Sequence, residues 1–361
     1  MLNLNKSSIK INLKKGSSSM TKSAPSNLVK EKISTLLSDL SLPDSELLND
    51  CIHSIIKMQQ HNVEENDLKL LSTALEEFRD IFKLFQRYRD VRKITIFGSA
   101  RCKPSHPNYI LAEQTAKSLS KKGYMIITGA GPGIMEAGNK GALLNKSFGL
   151  NILLPFEQLA NQYIEGSSKL ISFKYFFTRK LAFIRESDGT VLFPGGFGTH
   201  DEGFELLTLI QTGRCAPRPF ILINHPDSSY WQHWKTYVQN ELLEKEYISK
   251  DDMSIFSICD SVDDVEKTIS QFYHNYHSIR YTSQSTFLRL NHPLSETHLK
   301  TINQEFKHLI THDKFSFTPA NTPVKEDPYF PDKPKLIFQF NRTDYSGLYP
   351  LIYYLNSLSI E

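Results

Sequence analysis

The chain has 361 residues, 40% of them hydrophobic, which is enough to bury a full core and to hold more than one folding unit. Its formal charge of +3 is uneven: residues 1–25 hold five lysines and no acid, leaving 37 bases against 39 acids, so nothing demands nucleic acid as a partner. Four scattered cysteines without a C-x-x-C pair suggest neither zinc nor disulfides, and no apolar run approaches the ~18 residues of a membrane span, so a cytoplasmic protein with no metal and no membrane partner is expected.

Residues 1–26 are basic and rich in Ser and Asn, with no apolar core of a secretory signal. They read as a disordered tail, and Met20 could be the true start. Residues 27–91 are helical in pattern. Leu28, Ile33, Leu36, Leu37 and Leu40 recur at helical spacing, and Pro43-Asp44 restarts a second helix through Leu47, Leu48, Ile52, Ile55 and Ile56. A third runs from Leu68 to Phe85. This extension suits packing or dimerisation.

At Lys93 the period changes. Ile94–Phe97 reads as a strand ending in Gly98-Ser99, and Ala112–Lys122 as a helix. Tyr124–Thr128 is a strand ending in Gly129-Ala-Gly-Pro-Gly133, followed by a helix over Ile134–Leu144 and a strand over Gly149–Leu154. A helix around Phe177–Arg185 leads into the strand 190–193. The helix 199–212, the strand Phe220–Ile223 and a helix from Tyr230 to about Leu243 follow. Strands alternating with helices predict an α/β fold: a Rossmann-like, doubly wound parallel sheet over residues 92–277, with its site at the carboxyl ends of the strands. Beyond it, residues 278–361 read as a small α/β unit: the strand Thr286–Leu290, the helix Ser295–Ile310, a Pro-rich stretch, the strand Leu336–Phe340 and the helix Tyr345–Leu355.

Three strand ends carry small residues: Gly98-Ser99-Ala100, Gly129–Gly133 and Gly195-Gly-Phe-Gly-Thr199. Each alone is an ordinary tight turn; three in one sheet point to a nucleotide cleft. The second reads G-x-G-x-G with no convincing ribose-binding acid after the next strand, which disfavours a dinucleotide. No G-x-x-x-x-G-K-[ST] occurs, which disfavours a P-loop triphosphatase. One compact phosphate fits a single glycine nest better. Pro194–Glu202, reading PGGFGTHDE, is the most informative segment: glycines and a helix start expected at Thr199 offer free N–H groups to an anion. Glu202 then falls in the first turn of that helix, beside the anion.

Together, Gly98-Ser99-Ala100, Gly129–Ala137, Phe177-Thr-Arg-Lys180 and Pro194–Glu202 resemble the Lonely Guy (LOG) family of nucleoside 5′-monophosphate phosphoribohydrolases, once widely mislabelled lysine decarboxylases. The resemblance spans about Lys93 to Tyr276. The flanking helices and tail are similar to a longer bacterial branch regarded as AMP nucleosidases. It implies that Glu202 is the carboxylate near C1′ and that Arg179 is an essential arginine orienting the substrate. Gly195, Gly196, Gly198 and Thr199 would hold the 5′-phosphate, and Gly98, Ser99, Gly129, Gly131, Gly133, Glu136 and Lys180 would line the nucleotide site. Glu136 would reach the base or ribose. No cofactor is implied, and a homodimer or larger homo-oligomer is.

Blander readings stand beside these. Glu202 could merely complement a helix dipole, Arg179 could be a surface residue, and Lys180 could be solvated or ion-paired rather than a Schiff-base lysine. His200, where the family usually has an apolar residue, could tune Glu202, shape the pocket mouth or be a harmless substitution. Cys102, Trp231, Trp234 and the tyrosines of 273–281 read as structural. The leading expectation is hydrolysis of AMP to adenine and ribose 5-phosphate. The alternative is a non-catalytic nucleotide or molybdenum-cofactor binding or sensor protein of the same fold. A third reading makes the C-terminal unit a regulatory domain.

Overall fold

In a computed structural model, residues 27–40, 45–142, 144–154 and 159–358 are described; the basic leader and Pro43-Asp44 lie outside them. The chain divides into two compact units, one ending at Ser72 and the other beginning at Thr73. The first contains α1 (Asn27–Asp39) and α2 (Glu46–Gln60), which pack on each other, and the start of α3 (Glu65–Phe85). Although α2 has the apolar spacing of an amphipathic helix, it buries none of its residues.

The second unit is an α/β fold of Rossmann type. β1 (Lys93–Phe97), β2 (Met125–Thr128), β3 (Ser147–Ile152), β4 (Leu170–Phe173), β5 (Gly189–Leu192), β6 (Phe220–Ile223) and β7 (Phe256–Cys259) form one sheet in the order β4-β3-β2-β1-β5-β6-β7. Every pairing is parallel. The chain steps outward from β1 to β4, then returns to place β5 on the other side of β1. That reversal opens a crevice at the carboxyl ends of β1 and β5. The three glycine turns end β2, β1 and β5, which are adjacent strands, so the topology gathers them.

Period-two alternation splits the sheet's side chains between two faces. Ile94, Ile96, Val191, Phe193, Ile221 and Ile223 pack against α4 (Pro107–Lys121), α5 (Ile134–Ala142) and α9 (Val262–Phe272). On the other face Met125, Ile127, Phe148, Leu150 and Phe173 bury against Ile81 and Phe85 of α3 and Ala182 and Phe183 of α6 (Phe176–Glu186).

The C-terminal sheet runs β10-β11-β9-β8, antiparallel throughout, from β8 (Tyr276–Tyr281), β9 (Thr286–Leu290), β10 (Ser316–Thr318) and β11 (Lys335–Phe338). The boundary expected at 277/278 falls inside β8. This sheet, α10 (Glu296–Glu305) and α11 (Leu348–Ser357) share one core with the parallel sheet: Leu288, Leu336, Tyr349 and Ile352 join Leu192, Leu222 and, on α7 (Phe197–Gln211), Leu206 and Ile210. It is fused to the larger sheet and braces it. No helix among the described residues is long and apolar enough to cross a membrane.

Candidate active site

At the crevice lies a cavity of about 770 Å³. Nine of the expected residues line it: Gly98, Ser99, Gly129, Arg179, Gly195, Gly196, Gly198, Thr199 and Glu202. The loops after β1 and β5 are stitched together, Phe193 N–H donating to the Phe97 carbonyl at 2.8 Å and Ser99 N–H to the Pro194 carbonyl at 3.1 Å. The turn after β2 is held from beneath by buried polar groups. Asn161 donates to the carbonyls of Ala130 and Gly131, both at 3.0 Å, and to Asn139 Oδ1 at 2.9 Å, which also accepts from Thr128 at 2.7 Å.

The glycine loop after β5 leads into α7, which opens at Phe197, two residues earlier than expected, with Gly196 as its N-cap. Thr199 and His200 N–H both return to the Gly196 carbonyl, at 3.0 and 3.2 Å. Among the described residues, the N–H groups of Gly195, Gly196, Phe197 and Gly198 donate to none. Four consecutive unused donors at a helix start make an anion nest. The early start corrects the position of Glu202: it sits in the second turn, not the first. Gly198 and Thr199 precede it by four and three residues, so all three share one face of α7, with Glu202 about 5 Å further along. The carboxylate is thereby set about one helical turn away from the nest rather than directly beside it.

Arg179 enters from α6. Buried Glu77 fixes the start of that helix by accepting from Lys174 N–H at 2.6 Å and from the Thr178 hydroxyl. The Arg179 guanidinium carbon lies 5.0 Å from the ring centre of Phe176 and 5.8 Å from that of Phe183, and its buried Nε has no hydrogen-bond partner among the described residues. Burial lowers the Arg179 pKa, opposed by the charges of Glu202 and Asp201. Burial raises that of Glu202 to about 7, against the pull of Lys180 and Arg179. A carboxylate poised near neutral pH can exchange a proton with water or substrate.

Four expected lining residues stand elsewhere. Lys180, a helical step on from Arg179, turns to α7 and pairs with Asp201 at 2.7 Å and Glu205 at 2.5 Å. Burial works against its charge, but those two bonds prevail and raise its pKa. Glu136 accepts from the Tyr109 hydroxyl at 3.0 Å instead of facing the cavity. The Gly131 carbonyl is taken by Asn161. Gly133, at φ +71°, lets α5 press against the β1 loop, where a Cβ would meet the Ser99 and Ala100 backbone. Its neighbour Ile134 donates to the Ser99 carbonyl at 3.1 Å.

Residues not singled out as site residues complete the wall: Arg101, Met135, Ile152, Leu154, Phe176 and Phe183 among them. Arg101 follows directly on Gly98-Ser99-Ala100, and that adjacency was its one sequence signal. With Arg179 it gives the lining two permanent cations against one carboxylate, a balance that favours an anionic ligand. Asp251, His308 and Asp344 gather in a group that could hold a metal ion, but none of the three lines this cavity.

Fold and cavity thus define a Rossmann-like α/β protein whose anion nest, arginine and half-buried acid converge at the strand reversal. Residues 132–269 match the family model described as "Possible lysine decarboxylase", a segment that contains Gly133, Arg179 and Pro194–Glu202 but neither Gly98-Ser99-Ala100 nor Gly129. No match is found among curated proteins. Solved structures similar to this chain include the protein TM1055, 21% identical over 50% of this chain and 99% of its own, with a TM-score of 0.37. Others are the molybdenum cofactor carrier protein of Chlamydomonas reinhardtii (15%, 50% and 97%, 0.37) and the molybdenum cofactor binding protein of Rippkaea orientalis (18%, 50% and 94%, 0.35).

Proposed function

We propose that the protein hydrolyses the N-glycosidic bond of a nucleoside 5′-monophosphate, with AMP the favoured substrate, to the free base and ribose 5-phosphate. The observation that carries this reading is the spacing on α7: unused amides at its mouth and, one turn along the same face, a carboxylate raised to about 7. That spacing suits a ribose, with its 5′-phosphate at the amides and C1′ near Glu202.

As the C1′–N bond breaks, its electron pair leaves with the base and the ribose gains oxocarbenium character. Ionised Glu202 stabilises that charge and takes a proton from the attacking water, whose oxygen bonds to C1′; the departing base nitrogen ends protonated. Arg179 offsets the negative charge of phosphate and carboxylate together. Binding energy from the phosphate, which does not react, serves to orient C1′. A homodimer or larger homo-oligomer belongs to this proposal, supported by the exposed apolar side chains of Phe176, Phe177, Leu181 and Phe197.

The test is a panel of nucleoside monophosphates with the free nucleosides as controls, followed for base release. Turnover of a monophosphate but not of its nucleoside supports the proposal; tight binding without any turnover would point to a non-catalytic binding protein.

A further inference from the structure

His200 and Tyr230 form a hydrogen-bonded chain that ends on the glycine loop after β5. The Tyr230 hydroxyl lies 2.6 Å from the Gly195 carbonyl, and a carbonyl only accepts, so the single phenolic proton is committed there. The same oxygen lies 2.7 Å from His200 Nε2 and must accept from it. The direction of the chain is therefore fixed: His200 Nε2–H to Tyr230, and Tyr230 O–H to Gly195. The imidazole is packed among three rings, Tyr230, Trp231 and Phe204, with centres 6.0, 5.9 and 6.1 Å away.

The consequence lies in the peptide joining Gly195 to Gly196. It is trans and planar, so its C=O and N–H point in opposite directions. The carbonyl is drawn toward Tyr230, which does not line the cavity, whereas Gly196 does. The Gly196 N–H therefore points away from Tyr230, and among the described residues it donates to none. A peptide between two glycines has no Cβ to bias it and flips at little steric cost. The flipped form would turn a carbonyl oxygen, instead of a donor, toward an anion.

We propose that His200 and Tyr230 are positioning residues that hold the Gly195–Gly196 peptide in the orientation aiming the Gly196 N–H at the substrate's phosphate. This rests on the reading above that a 5′-phosphate occupies the loop. The departure from an apolar residue at position 200 thereby acquires a purpose: His200 supplies the donor that leaves Tyr230 no choice of acceptor. The pair acts through the loop backbone and touches no reacting atom.

Tyr230→Phe removes the proton and keeps the ring; His200→Leu removes the donor; His200→Gln restores a donor on a side chain of similar reach. Each variant and the wild type are compared for binding of AMP and of inorganic phosphate by calorimetry, for steady-state hydrolysis of AMP, and for melting temperature. In Tyr230→Phe, Kd for inorganic phosphate and KM for AMP rise about tenfold, with the loss in KM rather than kcat. His200→Leu gives about threefold in the same direction, and His200→Gln recovers most of it. Wild-type and Tyr230→Phe proteins binding phosphate equally would overturn the proposal and leave the phosphate reading standing. Wild-type protein that binds neither AMP nor phosphate overturns both. A lowered melting temperature with unchanged KM reduces the chain to a structural fastening and also overturns it.

Discussion

Lys180 grips Asp201 at 2.7 Å, so the lysine beside Arg179 is spent on the acid beside Glu202. It also holds Glu205 at 2.5 Å. Both carboxylates push the Glu202 pKa upward, and Lys180 is the larger of the two cationic influences pulling it down. One ion-paired lysine thus keeps Glu202 from drifting further into its protonated form.

In Lys180→Met, Asp201 and Glu205 lose their partner and the acid limb of the kcat/KM profile moves to higher pH. At pH 7 the rate falls about threefold, and it recovers near pH 9, where Glu202 ionises regardless. A loss equal at both pH values would show that Lys180 acts on something other than Glu202.

Glu202 itself links activity to stability. Its folded pKa of about 7 lies above the ordinary carboxylate value, so the fold prefers the protonated form. Ionised Glu202 therefore costs stability above pH 7, and this cost vanishes as pH falls toward 4. Glu202→Gln should lose at least 10²-fold in kcat. It should also gain on the order of 2 kcal/mol at pH 8 and nothing at pH 4. Chemical denaturation at the two pH values measures the difference.

The two leading glycines of the loop separate folding from binding. A Cβ at Gly195 would meet Thr199 Cβ at 2.8 Å and Ser99 N at 3.1 Å, whereas at Gly196 it meets nothing within 4 Å. Gly195→Ala should lower the melting temperature by several degrees, as expected of a change costing about 1–3 kcal/mol. Gly196→Ala should melt like the wild type and still raise KM for a 5′-monophosphate about tenfold or more, because its methyl occupies space at the anion nest. Circular dichroism melts beside steady-state kinetics distinguish the two.

The C-terminal unit braces the helices of the site. Asp252 accepts from Gln211 at the end of α7, at 2.7 Å, and from the Ser346 hydroxyl. Tyr349 on α11 donates to the Arg218 carbonyl at 2.8 Å, and Arg218 in turn donates to Ile184 on α6, also at 2.8 Å. Asp252 also accepts from the Ser249 N–H at 2.7 Å, so Asp252→Ala strands three donors and should cost about 2–4 kcal/mol. Removing residues 282–361 should unfold the chain rather than merely alter its kinetics, since Leu206 and Ile210 lose their cover. A truncated chain that stays folded with changed kinetics would support the regulatory reading instead.

Much of this was legible in the sequence. The strands before the three glycine turns are apolar and β-branched, and the turns' small residues marked them as ends. What escaped were strands with mixed faces. Leu170–Phe173 is an edge strand buried at only one of its four residues, Phe256–Cys259 likewise, and Tyr276–Tyr281 has a break in register after Tyr276. Expected lining residues stand away from the cavity where sequence gives proximity along the chain but not direction. Lys180 differs from Arg179 by one step of a helix, enough to send it to another partner. The partner of Glu136 is 27 residues away on α4, beyond what local spacing reveals. The start of α7 moved because glycine and phenylalanine do not announce an N-cap as serine or aspartate would.

The most direct test of the account is incubation of the purified protein with AMP at pH 8, with adenine and ribose 5-phosphate measured together. Equimolar release of both is expected, at least 10²-fold slower in Glu202→Gln and absent with adenosine. No adenine from the wild type, or release unchanged in Glu202→Gln, would contradict it.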